Sequence, residues 1–263
     1  MDLFLYIIVF TFIGSVASLA GGLVLVAKKG LISKVSHYLY SFAAGVLLGT
    51  AFFDLLPEAI EETEHLAEEG IVFNHDIFLW TFIGVIVFFF LVRFLHWFHH
   101  HDAYFKGEKG QTIPLVIIGD TVHNFIDGVV IAASFFVSVP LGIITAIAVA
   151  IHEIPQEIGD FAILIKKGLS RKKVIFINML SAAASLVGAV LMFLVGESIE
   201  SILPIFLALT AGFFIYIALS DLVPEIHKED NQKVAFIEAC LLVTGAFVVY
   251  FLASMLHNLN LHG

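Results

Sequence analysis

Two short polar blocks interrupt two consecutive apolar runs. The first reads His123-Asn124-Phe125-Ile126-Asp127-Gly128 and the second His152-Glu153-Ile154-Pro155-Gln156-Glu157. Shifted by 29 residues, His123 falls on His152, Asn124 on Glu153 and Asp127 on Gln156. On a helix, residues three and four apart share a face. His123 and Asp127 stand at i and i+4, Asn124 and Asp127 at i and i+3, and Asp120 lies one turn earlier. In the second block His152 and Gln156 are at i and i+4, as are Glu153 and Glu157, and Asp160 continues that side. Each helix presents a column of imidazole, amide and carboxylate. Two such columns face to face offer nitrogen and oxygen ligands together, a set that suits zinc, iron, manganese or a similar divalent ion. The neutral oxygens of Asn124 and Gln156 weaken the grip, which favours a site that must release its ion. Pro155 removes one helical donor and frees the Ile151 carbonyl; backbone in that state is tolerated in a membrane only inside protein or beside a wet cavity. Gly128 and Gly159 leave room for close helix approach.

Ionisable groups at mid-membrane depth are costly and mark an ion path, a relay or a substrate site. Two histidines, three carboxylates and two amides would be expensive scaffolding. An HExxH helix would signal a zinc peptidase. Here Gln156 stands where the second histidine would be and Pro155 breaks the turn, so the chain is not read as an enzyme. An intramembrane zinc-dependent hydrolase and a non-transporting membrane metal sensor are the rival readings.

The elements that must carry these columns are membrane spans. Of 263 residues, 60% are hydrophobic and 14% charged, and the mean hydropathy is +1.00. A soluble domain does not carry that much apolar surface. At about 20 apolar residues per span, eight are predicted, at roughly 3–27, 35–57, 77–99, 113–136, 141–165, 174–195, 202–224 and 234–257. They form one all-α transmembrane domain over 1–263. The first span has only Asp2 before it and is too long for a signal-peptide core, so it reads as a retained helix.

All 13 basic residues fall around or after the ends of odd-numbered spans: Lys28, Lys29, Lys34, Arg93, Lys106, Lys109, Lys166, Lys167, Arg171, Lys172, Lys173, Lys228 and Lys233. The positive-inside rule makes that side cytoplasmic, with both termini outside. The net charge of -10 says little by itself, but so few basic residues, clustered at membrane edges, give no expectation of a nucleic-acid partner. The partners are divalent metal ions and membrane lipid. The stretch after span two carries Glu58, Glu61, Glu62, Glu64, Glu68, Glu69 and Asp76 with His65 and His75 and no base. It reads as a solvated outer loop whose charge gathers cations. The end of span three, His96-Trp97-Phe98-His99-His100-His101-Asp102, is either a metal-capturing tract or an interfacial loop anchored by Trp97. The single cysteine, Cys240, reads as a small buried hydrophobe.

A second repeat lies in spans two and seven. Ala44-Gly45 followed by Asp54-Leu55-Leu56-Pro57-Glu58 matches Ala211-Gly212 followed by Asp221-Leu222-Val223-Pro224-Glu225 at an offset of 167. These spans run in opposite directions, as do spans four and five. The pattern is that of an inverted-topology repeat, with the site where the halves meet. It places Asp54 and Glu58 near the outer face and Asp221 and Glu225 near the inner one, as way-stations for the ion.

At these residues the sequence resembles the ZIP (Zrt/Irt-like) metal-ion transporters, and among them the LIV-1-type branch. The motifs that carry the likeness are Asp120-xx-His123-Asn124-Phe125-x-Asp127-Gly128, His152-Glu153-x-Pro155-x-Glu157-x-Gly159-Asp160 and Asp54-Leu55-Leu56-Pro57-Glu58. The resemblance covers essentially the whole chain. It implies a ZIP-like bundle that carries zinc, or iron, manganese or cadmium, toward the cytoplasm as substrate, with no separate cofactor. It implies a binuclear site: His123, Asp127, His152 and Gln156 around a first ion, and Asn124, Asp127, Glu153 and Glu157 around a second, with Asp127 bridging. The branch carries histidine where this chain has Gln156, a poorer zinc ligand. Span six, which adds a carboxylate in some relatives, offers only the stripe Asn178, Ser181 and Ser185. The resemblance further implies a homodimer in the inner or plasma membrane. It implies alternating access, with helices one, four, five and six moving against two, three, seven and eight.

Overall fold

The computed structural model of the chain describes residues 2–16, 19, 29–68, 75–102, 112–166, 168–196, 201–227 and 231–258. Among them the fold is all-α, without a strand. Helix α1 covers Leu3–Thr11 and runs into a π turn at Phe12–Val16. Helix α2 comprises Lys29–Thr50, a π turn at Ala51–Leu55, and Leu56–Glu68. Helices α3, α4, α5 and α6 cover Ile77–Asp102, Thr112–Val137, Val139–Lys166 and Arg171–Val195. Helix α7 comprises Leu203–Ile217, a π turn at Ala218–Leu222, and Val223–Ile226, and α8 covers Gln232–Asn258. Among the described residues, α2 to α8 are long and apolar enough to cross a membrane, and Leu3–Ser15 is a shorter apolar helix.

Helix boundaries follow local chemistry. The Asp76 carboxylate accepts from the amides of Phe78 and Leu79 at the start of α3, the N-cap arrangement that satisfies free amides. Ser170 Oγ accepts from the Lys173 amide at the start of α6. The tight α5–α6 connection turns on Gly168, whose φ of 98° favours glycine.

Helix α2 does not end at Pro57. The acidic residues from Glu58 to Glu68 continue the helix and are not a loop. The π turn explains this. Its i→i+5 bonding re-registers the ladder, and Pro57 becomes the second residue of the new segment, where its missing N–H costs nothing. Pro224 holds the equivalent place after the π turn of α7. The two π turns are themselves related by the offset of 167, so the repeat read from five-residue motifs extends to the backbone.

It extends to packing as well. Helix α2 pairs chiefly with α8, and α7 with α3. A Cβ on Gly45 would strike the Leu242 backbone; one on Gly212 would strike Thr81. Likewise Gly245 abuts the Phe42 carbonyl and Gly84 the Leu209 carbonyl. These two α2–α8 glycine contacts thus have α7–α3 counterparts, with α8 mapping onto α3 at an offset of 161. Where backbones approach this closely, only glycine fits.

Helices α4 and α6 form a further glycine-mediated pair. Gly128 lies against the Ser185 backbone and Gly188 against that of Phe125. Helix α1 packs on α4, α5 and α6, and α5 also touches α2. The helices fall into two groups, α1-α4-α5-α6 and α2-α3-α7-α8, which meet along α5 and α2. Helix α8 packs along one side only, and Cys240 is on its exposed face. It is therefore not the buried hydrophobe expected from its apolar surroundings. The helical backbone continues through Pro155 and through His96–Asp102; the surroundings of Pro155, Gly159 and the histidine tract lie outside the described residues.

Candidate metal centre

The two polar columns meet midway along α4 and α5. His152 is oriented first by its own helix. Its Nδ1 pairs with the Ala148 carbonyl at 3.1 Å, so Nδ1 carries the proton and the Nε2 lone pair points away from the α5 backbone. Nε2 faces His123 Nε2 at 3.2 Å. Two imidazole nitrogens at that separation share either a proton or a cation. Asp127 Oδ2 lies 3.7 Å from His123 Nε2 and 3.6 Å from His152 Nε2. Glu153 Oε1 lies 3.3 Å and 3.7 Å from the same nitrogens.

Those separations are informative. Four ligands around zinc at its usual bond lengths are about 3.3–3.5 Å apart in a tetrahedron. Five of the six edges, at 3.2–3.7 Å, lie within a few tenths of an ångström of that range. The side chains of Asp127, His152 and Glu153 are almost wholly buried. Asp127 Oδ2 and both Glu153 oxygens accept no hydrogen bond among the described residues. Buried carboxylate oxygens are expensive in that state unless a cation faces them.

A second group adjoins the first. Asp120, Glu153 and Glu157 each offer an oxygen within 4.8 Å of the others. Glu157 Oε2 accepts from Asn178 Nδ2 of α6 at 2.7 Å, while Oε1 accepts nothing among the described residues. Glu153 is thus common to both groups. Asn124 lies between them. Its Nδ2 donates to the Asp120 carbonyl and to Asp120 Oδ1, and its own Oδ1 is buried without a donor.

Of the seven residues singled out in the sequence, the structure gathers His123, Asp127, His152 and Glu153 into one set. Glu157 stands with Asp120, and Asn124 bonds to that aspartate. Gln156 is a neighbour of Asp120, on the side of the second group. The fourth place beside the two imidazoles is held by Glu153. The polar stripe of α6 faces inward: Asn178, Ser181 and Ser185 are buried, and Ser181 donates to Thr121 of α4. Rings of the other helix group wall the centre. Phe88 of α3 stands edge-on to His123, and Phe214 of α7 to His152.

The family profile described as ZIP Zinc transporter matches residues 1–114 and 111–253. The chain belongs to the ZIP zinc transporter family. Similar ZIP proteins include "Zinc transporter ZIP13" of Pongo abelii, 32% identical over 217 residues, covering 80% of this chain and 65% of that protein. "Zinc transporter zipt-7.2" of Caenorhabditis elegans is 30% identical over 281 residues, covering 86% of this chain and 59% of that one. "Zinc transporter ZIP10" of Danio rerio is 43% identical over 119 residues, 45% of this chain but 14% of the relative. The chain spans less than two thirds of the length of each of these ZIP proteins. Family membership, a multi-pass helical bundle and the ligand geometry agree with one another.

Proposed function

We propose that the protein carries divalent transition-metal ions, zinc first, across the membrane toward the cytoplasm. One observation supports this above the others: two imidazoles and two carboxylates from α4 and α5 converge with edges of 3.2–3.7 Å in an almost fully buried place. The ion is substrate. His123, Asp127, His152 and Glu153 hold it at a first position. Asp120, Glu153 and Glu157, with the Asn124 carbonyl oxygen, hold a second position, and Glu153 bridges the two. Gln156 tunes the second position through Asp120 and leaves the first to stronger ligands.

The reading includes alternating access, with α1, α4, α5 and α6 moving against α2, α3, α7 and α8. What supports it is the division of the bundle into those groups and the placing of every metal ligand on only one of them. The segregation of basic residues supports termini on the outer side. Asp54 and Asp221, each within a π turn, serve as outer and inner way-stations.

The test is flux into liposomes that hold a zinc-sensitive dye. Zinc enters through the wild-type protein, and His123→Ala reduces the rate at least tenfold. Asp54→Asn and Asp221→Asn raise KM for zinc more than they lower kcat. Absence of flux for zinc, cadmium, iron and manganese alike would overturn the transport reading, and unchanged kinetics in both aspartate variants would remove the way-stations.

A further inference from the structure

The two imidazoles of the first position are held in different ways. His152 is fixed by its own helix, through the bond between Nδ1 and the Ala148 carbonyl. At the offset of 29 the equivalent carbonyl is that of Gly119, also four residues before its histidine. His123 does not take it. Its polar contacts among the described residues all run through Nε2. Contacts at one ring atom leave the ring free to turn about that atom. Two rings bracket its plane instead. His152 stands at a centroid distance of 5.4 Å and an angle of 86°, and Phe88 at 5.9 Å and 83°. Aromatic pairs favour such edge-to-face arrangements.

The two supports belong to different helix groups. His152 is on α5, in the same group as α4. Phe88 is on α3, in the other. Its ring is buried and is backed by Phe213 and Tyr216 of α7, at centroid distances of 5.3 and 5.5 Å. One turn earlier Gly84 lies against the Leu209 backbone, so α3 and α7 hold the ring as a unit. Helix α4 itself packs chiefly on α6 and α5, and only lightly on α3. Phe88 is thus a contact from one helix group to a metal ligand of the other.

The internal repeat shows that the ring is particular to one half. With α8 mapping onto α3 at an offset of 161, the equivalent of Phe88 is Val249, which is buried as well. The half whose histidine has a backbone bond carries valine there. The half whose histidine lacks that bond carries a ring. Phe214 of α7 also meets His152, at 6.1 Å and 61°, but that imidazole has its Ala148 bond within its own helix, wherever α7 goes.

We propose that Phe88 is a positioning residue for transport: it holds His123 in its ligating orientation while the two helix groups are together and frees it when they part. His123 is then the ligand that lets the ion go, and His152 the ligand that stays. The release step rests on the alternating access proposed above; the holding of His123 does not.

The experiment is a double-mutant cycle on the full-length chain in detergent, with zinc alone titrated against a competing dye. Phe88→Leu keeps the wall apolar and removes the ring. Residues that act through one another are not additive, so Phe88→Leu is expected to weaken zinc binding about tenfold in the wild type and less than about twofold once His123 is alanine. A merely structural role predicts the same loss in both backgrounds. That result, or no loss in the wild type, overturns the proposal. Should Phe88→Leu fold poorly, Phe213→Leu removes the ring behind Phe88 and gives the same cycle with the same two outcomes. In dye-loaded liposomes Phe88→Leu raises KM for zinc more than it lowers kcat; a fall in kcat at unchanged KM refutes the release step. If wild-type liposomes show no flux while the cycle remains non-additive, the transport reading fails and the positioning of His123 stands.

Discussion

Glu153→Gln tests the centre at its most demanding point. The substitution keeps shape and removes one negative charge. In the structure Glu153 Oε1 is 3.3 Å from one imidazole nitrogen and 3.7 Å from the other, and the same side chain belongs to the carboxylate group with Asp120 and Glu157. At an effective dielectric of about 20, two unit charges 3.3 Å apart interact by roughly 5 kcal/mol. A divalent ion carries twice the charge and approaches closer, so the gross loss is larger. Relief of the cost of burying the free carboxylate offsets part of it. Breaking a buried charge pair costs about 3–5 kcal/mol net, so zinc affinity falls on the order of 10²–10⁴-fold. Glu157→Gln touches one group only, and Asn178 still donates to its remaining oxygen, so its effect is about tenfold. Gln156→Ala removes a neighbour of Asp120 and costs less again. Zinc titration of the purified protein by calorimetry gives the three affinities, and dye-loaded liposomes give the matching rates. The order Glu153, Glu157, Gln156 is the content of the prediction. If Gln156→Ala weakens zinc binding as much as Glu153→Gln, then the sharing of Glu153 is wrong and Gln156 is the direct ligand.

Other expectations follow from the same geometry. Asn178→Leu removes the donor to Glu157 and leaves a buried carboxylate; a hydrogen bond to a charged group contributes about 1.5–3 kcal/mol, so occupancy of the second ion, measured by metal titration, falls before that of the first. Gly45→Ala and Gly212→Ala drive a Cβ into the backbone of Leu242 and Thr81 respectively. Each is expected to lower Tm by several degrees in detergent, and a pair of unequal effects would speak against the equivalence of the two crossings. Ligands must lose protons to bind a metal ion. Zinc addition to the purified protein is therefore expected to release protons, and binding without proton release would count against ligation by protonatable side chains.

Much of this was legible in the residues because the membrane simplifies the code. Apolar runs of fixed length mark helices, and the ionisable groups within them declare themselves by cost alone. The inverted repeat was visible in Asp54–Glu58 and Asp221–Glu225 because proline and carboxylate are rare in such company. What the linear pattern could not give is helix phase. On α5, residues 152, 153, 156 and 157 all fall on one broad face, so spacing does not say whether Glu153 or Gln156 reaches between the imidazoles. That depends on the rotation of α5 against α4, which the seating of Gly142 on the Phe135 ring and the hydrogen bond from Thr145 to Ser134 help to set. The acidic stretch misled for a related reason: Pro57 normally ends a helix, and nothing in the letters announces a π turn just before it.

The paired π turns have a consequence for the history of the chain. A π turn arises when a helix receives one extra residue and bulges outward to keep its two flanks in register. Ala51–Leu55 and Ala218–Leu222 hold that surplus at matching places in oppositely directed halves. The simplest account is a single insertion in an ancestral unit that held the forerunner of α2 and α7, copied when that unit was duplicated. The bulge is then older than the chain's present topology.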